Sequence, residues 1–192
     1  MTALTKVQAS TAAEVCRLYE LDPDAAALLD EASTPASFME RLMAEQRFAD
    51  AARFLAYALP KREAVWWACL CARAVTTEDP SSDNLAALDA AEAWVYKPVD
   101  ENRRKAMALA EKTPMDSSAS WAAVAAFWSA GSMAPEDAPS VPPGEELTGA
   151  AVSGAVILAA VQTEPEKAPD KYAKFLNQGL DVARGGSGRD AE

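Results

Sequence analysis

The sequence contains no histidine. Histidine is the commonest general base and a usual zinc ligand, so its absence excludes Ser–His and Cys–His dyads and removes the main donor of a zinc site. The glycines form neither a G-x-G-x-x-G nor a G-x-x-x-x-G-K-[ST] pattern, so no phosphate-binding loop is expected. We therefore predict no metal site, no cofactor and no histidine-based catalytic residue.

Cysteine is scarce as well. Cys16, Cys69 and Cys71 are an odd number of thiols and lack the spacing of a disulfide framework. On a helix, Cys69 and Cys71 are about 200° apart around the axis, so they face nearly opposite sides. We expect small buried thiols in a reducing compartment.

Positive charge is in the minority. The chain has 18 Lys and Arg residues against 29 Asp and Glu residues, which gives a formal net charge of −11. This balance opposes binding to DNA or RNA and docking on an anionic membrane surface. We expect a soluble protein without a nucleic-acid partner, although an acidic face for a basic protein partner stays open.

Long hydrophobic runs are missing too. The longest uncharged apolar stretch, residues 147–161, falls short of the ~20 residues that a membrane-spanning helix needs. The opening MTALTKVQAS lacks the apolar core and the cleavage site of a signal peptide. The expectation is a cytoplasmic protein with no membrane span.

Alanine supplies many of the hydrophobic residues in the sequence. Half of the residues are hydrophobic, many of them alanine, and only 7% are aromatic. Because alanine favours helices and β-branched residues are sparse, the composition predicts an all-α fold. Proline and capping signals divide the chain into about eight to ten helices. We predict one irregular multi-helix bundle with some solenoid-like helix pairs, although the RFADA phrase at 47–51 starts no tetratricopeptide-like repeat.

The helix predicted at 61–75 is expected to be the central element. Pro60 precedes it, and residues 64–72 carry no charge. A helix that is apolar on every side has to be surrounded by other helices. Among the other helices, one is predicted at 23–32, and another is expected to turn Arg103, Arg104 and Lys105 towards water.

Three segments are predicted to be irregular. Residues 76–83 read as a polar loop, and 132–146 hold four prolines, which favours an extended strap across the surface. The helical domain is expected to cover residues 1–184. The glycine-rich residues 185–192 are expected to form a disordered tail.

The tryptophans are the candidate binding residues, since tryptophan is enriched at binding hot spots. The spacing of Trp121 and Trp128 places them in the core. Trp66 and Trp67 point about 100° apart on one helix, so one can complete the core while the other lies at its edge. Arg73 follows Trp66 by two helical turns. We predict partner binding by Trp66, Trp67 and Arg73, with a stacked, fold-supporting Arg73 as the alternative.

Paired carboxylates are the remaining catalytic option. The candidate pairs are Glu136 with Asp137 and Glu145 with Glu146, all in the proline-rich strap. Adjacent exposed acids are usually solvated charges, and an acid–base pair would also need a cleft. A carboxylate-based enzyme is therefore the alternative hypothesis and not the main one.

Five phrases of the chain are distinctive: ALPKREAVWWACLCARA, AAEAWVYKP, AAFWSAGSMAP, LTGAAVSGAVILAA and KFLNQGLDVARG. Together they resemble an uncharacterised family of bacterial all-helical proteins associated with type VI secretion loci. The resemblance spans residues 36–185 and implies a bacterial cytoplasmic accessory role, without any activity or site residue to carry over. We therefore predict a non-enzymatic, protein-binding adaptor or chaperone-like factor whose partner is a secretion component or effector. The alternatives are the carboxylate enzyme and a toxin-neutralising immunity protein.

Overall fold

The computed structural model describes residues 3–76 and 82–189, and within these ranges the chain contains α-helices and no β-strand. The helices are α1 (Ala12–Cys16), α2 (Pro23–Ala26), α3 (Pro35–Ala44), α4 (Phe48–Ala58), α5 (Lys61–Thr76), α6 (Ser82–Tyr96), α7 (Asp100–Ala110), α8 (Ser118–Trp128), α9 (Leu147–Val161) and α10 (Ala168–Ala183), with a short 3-10 turn at Pro165–Lys167. The prediction of an all-α multi-helix bundle is confirmed.

Local capping determines where several helices begin. Thr11, Thr34 and Ser117 each accept a hydrogen bond from a backbone N–H in the first turn of α1, α3 and α8, respectively. These bonds satisfy amide groups that have no partner inside a helix. Pro60 separates α4 from α5, because the residue before it, Leu59, is extended.

The centre of the bundle is shared by α5 and α9. Helix α5 packs against α6, α8, α9 and α10, while α9 packs against α4, α5, α8 and α10. Among the described residues, Trp67 is the largest fully buried side chain, and the thiols of Cys69 and Cys71 are buried as well. Burial raises the pKa of both thiols. One face of α5 still reaches the surface, since Arg62 and Ala74 are exposed.

The helix predicted at 23–32 ends early, at Ala26. After Ala26, side chains form hydrogen bonds with backbone groups that would otherwise bond within the helix. Asp30 accepts a hydrogen bond from the N–H of Ala32, and Ser33 accepts one from the N–H of Asp30. Arg41 of α3 donates to the carbonyl of Leu28. These local bonds replace the helical ladder.

Arg103 is buried, which corrects the prediction that it faces water. It is only 2% exposed. Its guanidinium donates to the carbonyls of Phe127 and Ser132, at 2.8 Å each, and pairs with Asp100 at 2.6 Å. The same group stacks on the Phe127 ring, 4.6 Å from the centroid. Arg103 therefore binds the carbonyl end of α8, where helical oxygens have no partner of their own.

Gly131 makes room for Arg103. Its φ is +67°, and a Cβ atom at this position would lie 2.9 Å from the Arg103 Nε atom. The chain then continues into residues 132–146, which contain no helix and follow the surface as the predicted strap. Arg104 donates to the carbonyl of Ala134 at 3.0 Å, and Met133 donates to Val141 at 2.7 Å. The Arg104 bond fixes the strap to the helical body, and the Met133 bond closes a turn within the strap.

The predicted disordered tail is corrected for residues 185–189, which fold back on the bundle. The N–H groups of Gly186 and Gly188 donate to the backbone carbonyl and the side chain of Asp181, respectively. Gly188 is buried against Leu70 and Val182. Residues 190–192 and most of the predicted polar loop, 77–81, lie outside the described residues.

No single helix in the described ranges has the length and hydrophobicity needed to cross a bilayer. In these ranges, only the pair Leu147–Val161 and Pro165–Ala183 has the required length and hydrophobicity when taken together, and the two parts are bent by 110°.

Candidate functional site

The two adjacent tryptophans of α5 have opposite environments. Trp67 has no exposed surface, and its indole N–H donates to the carbonyl of Phe175 in α10 at 2.7 Å. Its ring fills the space above Gly179, where a Cβ atom would lie 2.7 Å from the ring. Because no part of it is accessible, Trp67 has to be removed from the predicted partner-binding set.

Trp66 lies on the outer side of α5 and is only partly buried. Its indole N–H donates to the carbonyl of Ser187 at 2.8 Å. The ring also meets Tyr96 edge to face, with the centroids 5.9 Å apart and the planes at 61°. Tyr96 is the last residue of α6 and is 63% exposed. The two rings form an aromatic pair at the surface.

Arg73 is not part of this pair. Its guanidinium lies 2.9 Å from both Asp89 and Glu92 of α6. These ion pairs connect α5 to α6 two turns beyond Trp66. Arg73 thus links two helices through ion pairs, but its side chain is 38% exposed, so it is not the buried, stacked residue of the alternative prediction.

A groove of about 250 Å³ runs beside Trp66. We call it the Trp66 groove, and it is lined by Lys6, Arg62, Glu63, Trp66, Val95, Tyr96, Val182, Gly185 and Gly186. Lys6 and Glu63 form an ion pair of 3.5 Å on its rim. Arg62 donates to the carbonyl of Val95 at 2.7 Å, which ties α5 to the end of α6. The groove therefore lies where α5, α6, α10 and the amino-terminal segment meet.

Sequence reasoning missed two residues of this site, Tyr96 and Arg189. The guanidinium carbon of Arg189 lies 4.9 Å from the centroid of the Trp66 ring, and its NH2 group donates to the Tyr96 hydroxyl at 2.6 Å. One signal for Tyr96 was present, since it is an aromatic residue at a helix end just before Lys97 and Pro98. No local signal connects Arg189 to a residue 123 positions earlier.

The candidate carboxylate pairs are found in different settings. Glu136 lies 3.7 Å from Arg104, with its side chain 82% exposed. The Glu146 carboxylate folds back over Gly144. Glu145 borders a cleft of about 510 Å³, together with Glu14. Glu14 accepts hydrogen bonds from Ser10 and Thr11, so it serves as a cap of α1.

Among the described residues, the carboxylates with a shifted pKa belong to ion pairs. The Arg41 guanidinium lowers the pKa of Asp30, Arg104 and Arg103 lower that of Asp100, and Lys167 lowers that of Glu164. A general acid needs the opposite shift, because it has to hold its proton near neutral pH. Within residues 3–76 and 82–189, no three His, Cys, Asp or Glu side chains are grouped to hold a metal ion.

The comparisons with known proteins give one match. A family model described as "Family of unknown function (DUF6931)" matches residues 38–183. No curated protein and no solved structure matches the chain. The match begins within α3 and includes every helix that forms the Trp66 groove, but it ends before Arg189.

Proposed function

The chain belongs to DUF6931, a family of unknown function, and on that premise we propose that it is a non-enzymatic protein-binding accessory factor. Its partner contacts the Trp66 groove and the exposed ring of Tyr96. The proposal extends to an adaptor or chaperone-like role in the bacterial cytoplasm, with a secretion component or effector as the partner. This finer assignment is supported by the sequence resemblance alone.

The exposed aromatic pair carries the proposal. Among the described residues, Tyr96 has the highest exposed fraction of the large hydrophobic side chains. It packs against Trp66 beside a groove that charged side chains surround. Tryptophan, tyrosine and arginine dominate binding hot spots, since they bury large rigid surfaces and keep a polar group for orientation. A Tyr–Trp pair next to Arg62 has this composition.

A pull-down from the native host tests the proposal. Wild-type protein, Tyr96→Ala and Arg73→Ala are used as bait, and the captured proteins are identified by mass spectrometry. Because Tyr96 is exposed, its removal leaves the core intact, and we expect loss of about tenfold or more of the captured partner. Arg73→Ala keeps the groove, so it should retain the partner if it stays folded by circular dichroism.

The opposite pattern would contradict the proposal. Partner capture that depends on Arg73 and not on Tyr96 would place the interface on the α5–α6 ion pairs. If wild-type bait recovers no specific partner, the adaptor role is wrong. Recovery of a toxin in place of a secretion component would favour the immunity role.

A further inference from the structure

The Trp66–Tyr96 pair beside the Trp66 groove is already covered by the chain itself. The Arg189 guanidinium covers the Trp66 ring at 4.9 Å and donates to the Tyr96 hydroxyl at 2.6 Å. The carbonyl of Ser187 accepts the Trp66 indole N–H at 2.8 Å. Among the described residues, no carboxylate lies within ion-pair distance of Arg189. The segment 187–189 is thus bound by the Trp66 ring, by the Trp66 indole N–H and by the Tyr96 hydroxyl oxygen.

The backbone of this segment is anchored independently of the arginine. Gly185 and Gly188 have φ values of +95° and +72°, which suit glycine and turn the chain back towards α5. The N–H of Gly188 donates to the Asp181 carboxylate at 2.8 Å, and a Cβ atom at Gly188 would lie 2.8 Å from the Val182 side chain. Arg189 follows the last of these anchors. Its side chain can therefore leave Trp66 while residues 185–188 stay in place.

The arginine is held weakly. A cation over a partly exposed aromatic ring contributes little, and the bond to Tyr96 is made at the surface, where water competes with it. A second guanidinium that arrives with further contacts can displace it. The nearby positive charge of Arg62 does not prevent the site from binding a cation, because the Arg189 guanidinium is already bound there. The net charge of −11 also attracts a positively charged partner segment.

We propose that the Trp66–Tyr96 pair is a guanidinium-binding site, in which Arg189 is an internal occupant that an arginine of the partner protein replaces. The inference rests on the proposed function, since it names the chemistry by which the partner is recognised. It assigns Arg189 the role of a competitor. Removing its side chain should strengthen binding, whereas removing a residue that contacts the partner would weaken it.

A peptide titration followed by NMR tests whether removal of the Arg189 side chain strengthens binding. The probe is acetyl-Gly-Ser-Gly-Arg-amide, added to ¹⁵N-labelled full-length protein, and the reporter is the indole N–H signal of Trp66, assigned with Trp66→Phe. In Arg189→Ala the signal should shift in a saturable way, with an affinity about 3- to 10-fold tighter than in wild type. Arg184→Ala removes a nearby exposed arginine and should match wild type.

A peptide with glutamine in place of arginine separates guanidinium recognition from general peptide binding. Equal responses to both peptides, or no saturable shift in Arg189→Ala, would overturn the inference. The proposed function would survive that result if Tyr96→Ala still lost the host partner. If the peptide binds as expected but partner capture does not depend on Tyr96, the guanidinium site stands and the proposed function fails.

Discussion

Replacing Arg103 with methionine is expected to lower the free energy of unfolding by about 3–5 kcal/mol, because two hydrogen bonds from a charged donor are lost and each contributes about 1.5–3 kcal/mol. Methionine fills much of the same space, so the loss comes mainly from hydrogen bonds. The carbonyls of Phe127 and Ser132 lose their charged donor at the end of α8. The strap would lose its first anchor, since Ser132 begins it.

Urea unfolding followed by far-ultraviolet circular dichroism measures this effect. Arg104→Met is the matched control, because Arg104 shares Asp100 and also binds a strap carbonyl, that of Ala134. Its side chain is 24% exposed, whereas that of Arg103 is 2% exposed. We expect the control to cost about 1 kcal/mol, as is typical of an accessible ion pair. Equal losses for both variants would mean that burial of Arg103 contributes nothing.

Replacing Trp67 with alanine is expected to cost about 3–5 kcal/mol, whereas Trp66→Ala should cost about 1–2 kcal/mol. The two residues are adjacent and chemically identical, so each controls for the other. Trp67 has no exposed surface, and Gly179 of α10 contacts its ring directly. Truncation would leave a cavity between α5 and α10 that the surrounding helices fill only in part.

The same urea experiment compares the two variants. The expected order is a much lower unfolding midpoint for Trp67→Ala than for Trp66→Ala. The reverse order would assign the core position to Trp66 and would remove the basis for a binding surface there. Similar midpoints for both would show that α5 does not have one buried and one accessible tryptophan.

The helices could be predicted because their signals are local. Pro60 sets the border between α4 and α5, and Thr34 caps α3 within three residues of itself. The apolar stretch at 147–161 is the helix α9 with the same bounds. Such patterns depend on neighbours along the chain, so a single sequence reveals them.

The candidate site could be predicted only in part, because it depends on distant contacts. The sequence shows that Trp66 and Trp67 diverge, but α5 is apolar on most sides, so the pattern does not tell which one α10 covers. The buried position of Arg103 depends on carbonyls 24 and 29 residues later. Arg189 reaches Trp66 only because glycine turns redirect the chain after α10.

The central claim is that the partner binds at the Trp66 groove, and hydroxyl-radical footprinting of the purified complex tests it most directly. Oxidation of each aromatic side chain is measured by mass spectrometry, with and without the partner that the pull-down recovers. The account predicts strong protection of Tyr96, which is 63% exposed in the free protein, together with protection of Trp66. Unchanged oxidation of Tyr96 in a saturated complex, with protection elsewhere, would contradict it.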